Sequence, residues 1–118
     1  MKIAQRLQYR PFDPDHNLAA SWHSYNFNPC ATEACWDSQV APVIAWVPVI
    51  VGEMGEGDCA DTYIDPLMQW LDARSTSYFA WAWNADFTCA DGPSLITSYT
   101  GTPTPYGAGY QAHLQSLR

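Results

Sequence analysis

A carboxylate set between an apolar run and a cluster of glycines is the group in this chain best placed to do chemistry. Glu53 stands in P-V-I-V-G-E-M-G-E-G, residues 48–57. Pro48 to Val51 read as a short buried strand, and Gly52, Gly55 and Gly57 break it into a tight loop. That puts Glu53 where the strand ends. A carboxyl group carried out of an apolar strand into a glycine turn is partly desolvated yet reachable by a ligand, which suits an acid, a base or a nucleophile. The competing reading is a solvated loop acid, and Glu56, further into the loop, is assigned to it.

Two other segments bring complementary groups. Leu18 to Phe27, L-A-A-S-W-H-S-Y-N-F, reads as a strand in which His23, Tyr25 and Phe27 share one face and Trp22, Ser24 and Asn26 the other. Ser77 to Asn84, S-Y-F-A-W-A-W-N, reads as an aromatic strand with Trp81 and Trp83 on one face and small alanines on the other. Trp22, Trp36, Trp46 and Trp70 are expected to pack, not to present platforms.

The connecting segments read as helices. Trp36 to Val47 places Val40, Val43, Ile44 and Val47 at helical spacing, with Pro42 in the first turn. Asp61 or Thr62 is expected to cap a helix that carries Ile64, Leu67, Met68 and Leu71 and ends near Arg74. G-T-P-T-P-Y-G-A-G, from Gly101, reads as irregular, and Ala108 to Leu117 as a closing helix with Tyr110, Leu114 and Leu117 inward. Strand, helix, strand, helix, strand, helix implies an α/β fold with parallel strands joined by right-handed crossovers. In such sheets ligands meet the carboxyl ends of the strands, and those ends carry His23 and Tyr25, then Glu53, then Trp81 and Trp83.

Composition narrows the ligand. The 118 residues make one domain of modest core. Six Trp, seven Tyr and four Phe are more than a small core absorbs, so some aromatics must be exposed or line a groove. Net charge is −7, with Lys2, Arg6, Arg10, Arg74 and Arg118 as the strong cations and no basic cluster, which argues against nucleic acid and anionic membrane. A neutral polysaccharide, bound by stacking and hydrogen bonds, suits that charge. No apolar run of about 18 residues suggests a membrane span. His16 and His113 show no partner pattern, and neither a metal site nor a cofactor is expected.

Cys30, Cys35, Cys59 and Cys89 lack C-x-x-C spacing and read as disulfides. Of three connectivities, Cys30–Cys35 with Cys59–Cys89 joins sequence neighbours. An oxidising, extracellular setting follows, although Met1 to Arg10 lacks the apolar core of a secretory signal.

Taken together, S-W-H-S-Y-N-F, P-V-I-V-G-E-M-G, F-A-W-A-W-N, Y-I-D-P-L-M-Q-W-L-D and G-T-P-T-P-Y-G-A-G resemble the C-terminal portion of a glycoside hydrolase family 5 enzyme, a cellulase-type (β/α)8 barrel. The resemblance covers Asn17 to Leu114 and implies barrel strands 6 to 8, a partial barrel. It divides the chain into an irregular leader or connector, residues 1–16, of which Met1 to Arg10 is a foreign or mis-started piece, and a catalytic portion, residues 17–118. It also implies a secreted endo-β-glucanase that hydrolyses O-glycosidic bonds of a β-1,4-glucan such as cellulose with retention. Glu53 would be the nucleophile, Tyr25 would hold it, His23 would tune it and contact sugar hydroxyls, and Trp81 would stack under the sugar. Trp83 is the fallback platform, Glu56 the fallback nucleophile, and Asn84 a further substrate contact.

Retaining hydrolysis needs a second carboxyl group about 5 to 5.5 Å from the nucleophile. In this family it follows an Asn, and the chain contains no Asn-Glu pair. A full barrel needs about 250 residues, so the chain is expected to be a fragment that pairs with a missing N-terminal half or self-associates. The alternative is a non-catalytic carbohydrate-binding or barrel-complementing fragment. Binding modules of that sort are mostly antiparallel sandwiches, so parallel strands would argue against it.

Overall fold

In the computed structural model, which describes residues 3–118, the backbone alternates strands and helices around one parallel sheet. The strands are β1 (Ala20–Tyr25), β2 (Val49–Gly55) and β3 (Ser77–Ala80), ordered β1-β2-β3, with both neighbouring pairs parallel. The helices are α1 (Glu33–Gln39), α2 (Ala41–Ile44), α3 (Ile64–Asp72) and α4 (Pro105–Ser116). The expected parallel α/β order is therefore present. Before β1, Ile3–Leu7 form a 3-10 helix, so that part of the leader is ordered. Met1 and Lys2 of the same leader lie outside the described residues.

β1 alternates as its sequence dictates. Trp22 and Ser24 are buried while His23 faces solvent. The buried Ser24 hydroxyl shares a hydrogen bond with the Tyr63 hydroxyl at 2.6 Å, which spares both an unsatisfied polar group.

β2 departs from the expectation in an informative way. The strand does not stop at Val51 but continues through Gly52 and Glu53 to Gly55. Strict alternation from the inward Val49 and Val51 would also turn Glu53 inward. Trp22 pairs with Val51 and His23 with Glu53, so Gly52 is one extra residue, a bulge that appears against β3 as well. The bulge shifts the phase by one, burying Met54 and turning Glu53 to the face that carries His23.

The expected helix over 36–47 is two short ones. Pro42 has no N–H to give to the carbonyl four residues back, so the helix breaks at Val40 and restarts with Pro42 in its first turn. Thr32 caps α1 by accepting the Cys35 N–H. The Cys30–Cys35 and Cys59–Cys89 disulfides form as paired by sequence proximity.

α3 buries Ile64, Leu67, Met68, Trp70 and Leu71 against the sheet, each worth about 1.5–3 kcal/mol when an aliphatic side chain is fully covered. Neither Asp61 nor Thr62 caps it. Its first turn is capped by Glu56, whose Oε2 accepts the Tyr63 and Ile64 N–H groups, each at 2.9 Å. Glu56 is fully buried, which corrects its assignment as a solvated loop acid. Burial raises its carboxyl above the usual range, and the two backbone donors work against that rise.

α4 starts earlier than expected, inside the segment read as irregular, with Thr104 accepting the Gly107 N–H and Pro105 in the first turn. Its buried residues are Tyr106 and Gly107, Tyr110 packs half-buried against the core as expected, and Leu114 and Leu117 are exposed. Gly107 explains the difference. Any Cβ there would sit 1.9 Å from the Leu95 carbonyl oxygen, so the helix touches the body of the protein at its start. His113 anchors the far half, its Nε2 lying 2.6 Å from Asp72 Oδ2 and its Nδ1 3.5 Å from Asp65 Oδ1, partners that sequence spacing did not reveal.

Candidate active site

The outward face of β1 and β2 brings His23, Tyr25 and Glu53 together. The Tyr25 hydroxyl donates to Glu53 Oε2 at 2.6 Å, and His23 Nδ1 lies 3.4 Å from the same oxygen. Glu53 Oε1 has no hydrogen-bond partner among the described residues. Burial first, then the hydrogen bond and charge of Glu53, push the Tyr25 phenol far above its usual range. It therefore stays protonated and donates to the carboxylate at neutral pH. The His23 contact is about half exposed and weaker, because solvent screens it.

Glycines make this closeness possible. A Cβ at Gly55 would stand 2.7 Å from Pro93 and 3.1 Å from the Tyr25 ring, and one at Gly52 would press on the His23 ring at 3.4 Å. Phe27 stacks on Tyr25 with ring centroids 4.9 Å apart.

The aromatic segment after β3 is placed differently from its sequence reading. β3 ends at Ala80, so Trp81, Trp83 and Asn84 lie beyond the strand and Trp83 is not one rung further along it. Trp81 donates its backbone N–H to the Met54 carbonyl at 2.8 Å, which sets it beside the residue that follows Glu53. The Tyr106 hydroxyl contacts the carbonyls of both Met54 and Trp81, at 2.8 and 3.0 Å. This buried tyrosine ties the ends of β2 and β3 together, and sequence reading missed it because its helix was placed three residues too late. The ends of three strands thus carry a held carboxylate and an exposed indole, an arrangement suited to an uncharged, ring-shaped ligand.

Comparison with protein families matches residues 2–87 to the cellulase family, glycosyl hydrolase family 5. The chain belongs to that family. The match begins ahead of Asn17 and includes the ordered leader. A comparison with curated proteins finds no match. Among solved structures the family 5 chain is similar to a β-glucanase from Saccharophagus degradans in its native form, with a TM-score of 0.66 and 21% identity. The same enzyme in complex with cellotetraose matches at 0.66 and 20%. In both, 85% of this chain is covered but 34% of the enzyme, so the chain spans about a third of the length of the structures it matches. At that identity the likeness concerns the fold, an α/β unit corresponding to part of a family 5 barrel.

Among the described residues no cluster of His, Cys, Asp or Glu has metal-binding geometry, and no helix is long and apolar enough to cross a membrane.

Proposed function

We propose that this family 5 chain, over residues 17–118, is the C-terminal part of a catalytic barrel, strands 6 to 8, and carries the nucleophile side of a retaining endo-β-glucanase site. The observation that carries the reading is the 2.6 Å hydrogen bond from Tyr25 to Glu53 Oε2, made on a sheet face that presents the carboxylate to solvent. It occupies one oxygen and leaves Oε1 without a partner among the described residues. Oε1 attacks the anomeric carbon, the bond to the leaving sugar breaks, and a glycosyl ester forms on Glu53. Water then cleaves the ester and restores the carboxylate.

Tyr25 is a positioning residue, acting through Glu53, and His23 supports the same oxygen. Trp81 supplies the stacking surface at the cleavage point, with Trp83 and Asn84 as further substrate contacts. The proton for the leaving oxygen comes from a carboxyl group outside this chain, on barrel units that complete the site. The cellotetraose complex of the Saccharophagus degradans β-glucanase supports a β-glucan as the substrate class. The disulfides suit an oxidising, extracellular location.

The test is release of reducing ends from soluble mixed-linkage β-glucan by the chain, alone and mixed with a polypeptide carrying the N-terminal units of a family 5 barrel. The reading requires cleavage in the mixture that Glu53→Gln removes. Cleavage that survives Glu53→Gln would reject the nucleophile.

A further inference from the structure

Beyond Trp81 the chain exposes two more large aromatic rings, Trp83 and Tyr99, on a backbone that is pinned almost residue by residue. Ala82 donates to the Pro93 carbonyl at 2.7 Å and accepts from Leu95 and Asn84 at 3.0 and 2.9 Å. The Asn84 carbonyl accepts from the Ser94 hydroxyl. Trp83 therefore sits between two anchored residues while its own side chain is 64% exposed. Tyr99, 61% exposed, lies in the loop closed by the Ile96–Pro103 bridge and the Thr97 to Thr102 hydrogen bond.

The two rings belong to one surface. The Trp83 indole lies over Gly101, where an added Cβ would meet it at 3.7 Å, two residues from Tyr99. The Tyr99 hydroxyl donates to Asn84 Oδ1 at 3.4 Å, and the Asp86 N–H donates to the same oxygen at 2.7 Å. This orients the Asn84 amide and leaves its NH2 group, like the Trp83 indole N–H, without an acceptor among the described residues. Rings held open beside free donors match a sugar, whose C–H face stacks and whose hydroxyls accept. Exposed apolar rings alone would suit a protein partner; the oriented amide and the acidic chain, net −7, favour an uncharged polyol.

The geometry points to a second sugar-binding platform, formed by Trp83, Asn84 and Tyr99, that holds a glucosyl unit of the same chain beyond the one on Trp81. It rests on the β-glucan reading of the site and adds Tyr99 as a residue that sets preference for long chains over short ones. A platform of this kind contributes only when the oligosaccharide is long enough to reach it.

Calorimetric titration with cellobiose and cellohexaose, on the chain with both disulfides formed, tests this. Trp83→Ala and Tyr99→Ala are expected to weaken cellohexaose binding about 3- to 10-fold each and cellobiose binding distinctly less, with Trp83→Phe restoring most of the loss. Trp81→Ala is expected to weaken both ligands. Circular dichroism melting verifies that each variant is folded, and Tyr99→Ser replaces Tyr99→Ala if that variant melts early. Loss with Trp81→Ala but none with the Trp83 and Tyr99 variants overturns the platform and leaves the cleavage-site reading standing. Loss with the Trp83 and Tyr99 variants but none with Trp81→Ala does the reverse. Equal weakening of both ligands by the Trp83 and Tyr99 variants, or no binding of cellohexaose, overturns the platform.

Discussion

Which oxygen of Glu53 is occupied decides what the carboxylate can do. Tyr25 takes Oε2 and keeps the carboxylate oriented without a formal charge of its own, since its phenol remains protonated. Tyr25→Phe removes one charge-assisted hydrogen bond, worth about 1.5–3 kcal/mol. If that bond acts in the transition state, kcat falls about 10- to 100-fold in the reconstituted barrel while KM stays near its starting value. A merely structural tyrosine would lower melting temperature and leave kcat in place. The types and order of His23, Tyr25 and Glu53 are legible in the sequence, because alternation along β1 puts the first two on one face. Their meeting with Glu53 depends on the bulge at Gly52, which a one-strand pattern does not show. Read as a strand end, Glu53 came out in the right neighbourhood for an incomplete reason.

Elements are where the sequence is least transparent, because the decisive groups sit outside the elements they stabilise. Glu56 caps α3 from the loop after β2, eight residues before Ile64, so no local capping pattern reveals it. Glu56→Ala leaves the Tyr63 and Ile64 N–H groups buried and unpaired, at a cost of about 2–4 kcal/mol in denaturant unfolding. Its titration gives a second readout. The folded carboxyl is raised above its unfolded value of 4.5, so the folded chain holds this proton more tightly. Its contribution is full below the unfolded value and is lost as pH rises through the folded one. The melting temperature of the wild type relative to Glu56→Gln is therefore expected to rise as pH is lowered from 7 to 4.5. A constant or reversed difference would contradict it. α4 makes the same point about glycine. Gly107→Ala drives a methyl group into the Leu95 carbonyl and is expected to detach the helix start, exposing Tyr106 and releasing Trp81 from its tether. In contrast, α3 announces itself by Ile64, Leu67, Met68 and Leu71, since burial against a sheet needs no partner beyond its own stripe.

For the whole molecule, parallel order follows from alternating strand and helix patterns, and the disulfides follow from proximity along the chain. The second bridge closes a 30-residue separation between the loop after β2 and the loop after β3. Replacing Cys59 and Cys89 together by serine is expected to cost about 3 to 4 kcal/mol, read as a lower denaturant midpoint, whereas the Cys30–Cys35 clasp, separated by 5 residues, contributes less. The outward sheet face, with Ile50, Phe79 and Trp81 exposed, matches the interior of a barrel of which this chain spans about a third. The proposed covalent bond between Glu53 and sugar is isolated by a substrate that needs no acid. A 2-deoxy-2-fluoro-β-cellobioside with a dinitrophenyl leaving group departs without protonation and leaves a slowly hydrolysed ester. Peptide mapping by mass spectrometry is expected to find the fluorocellobiosyl group on Glu53 in the wild type and nowhere in Glu53→Gln. Label on Glu56 or another carboxylate, or label that persists in Glu53→Gln, would contradict the account.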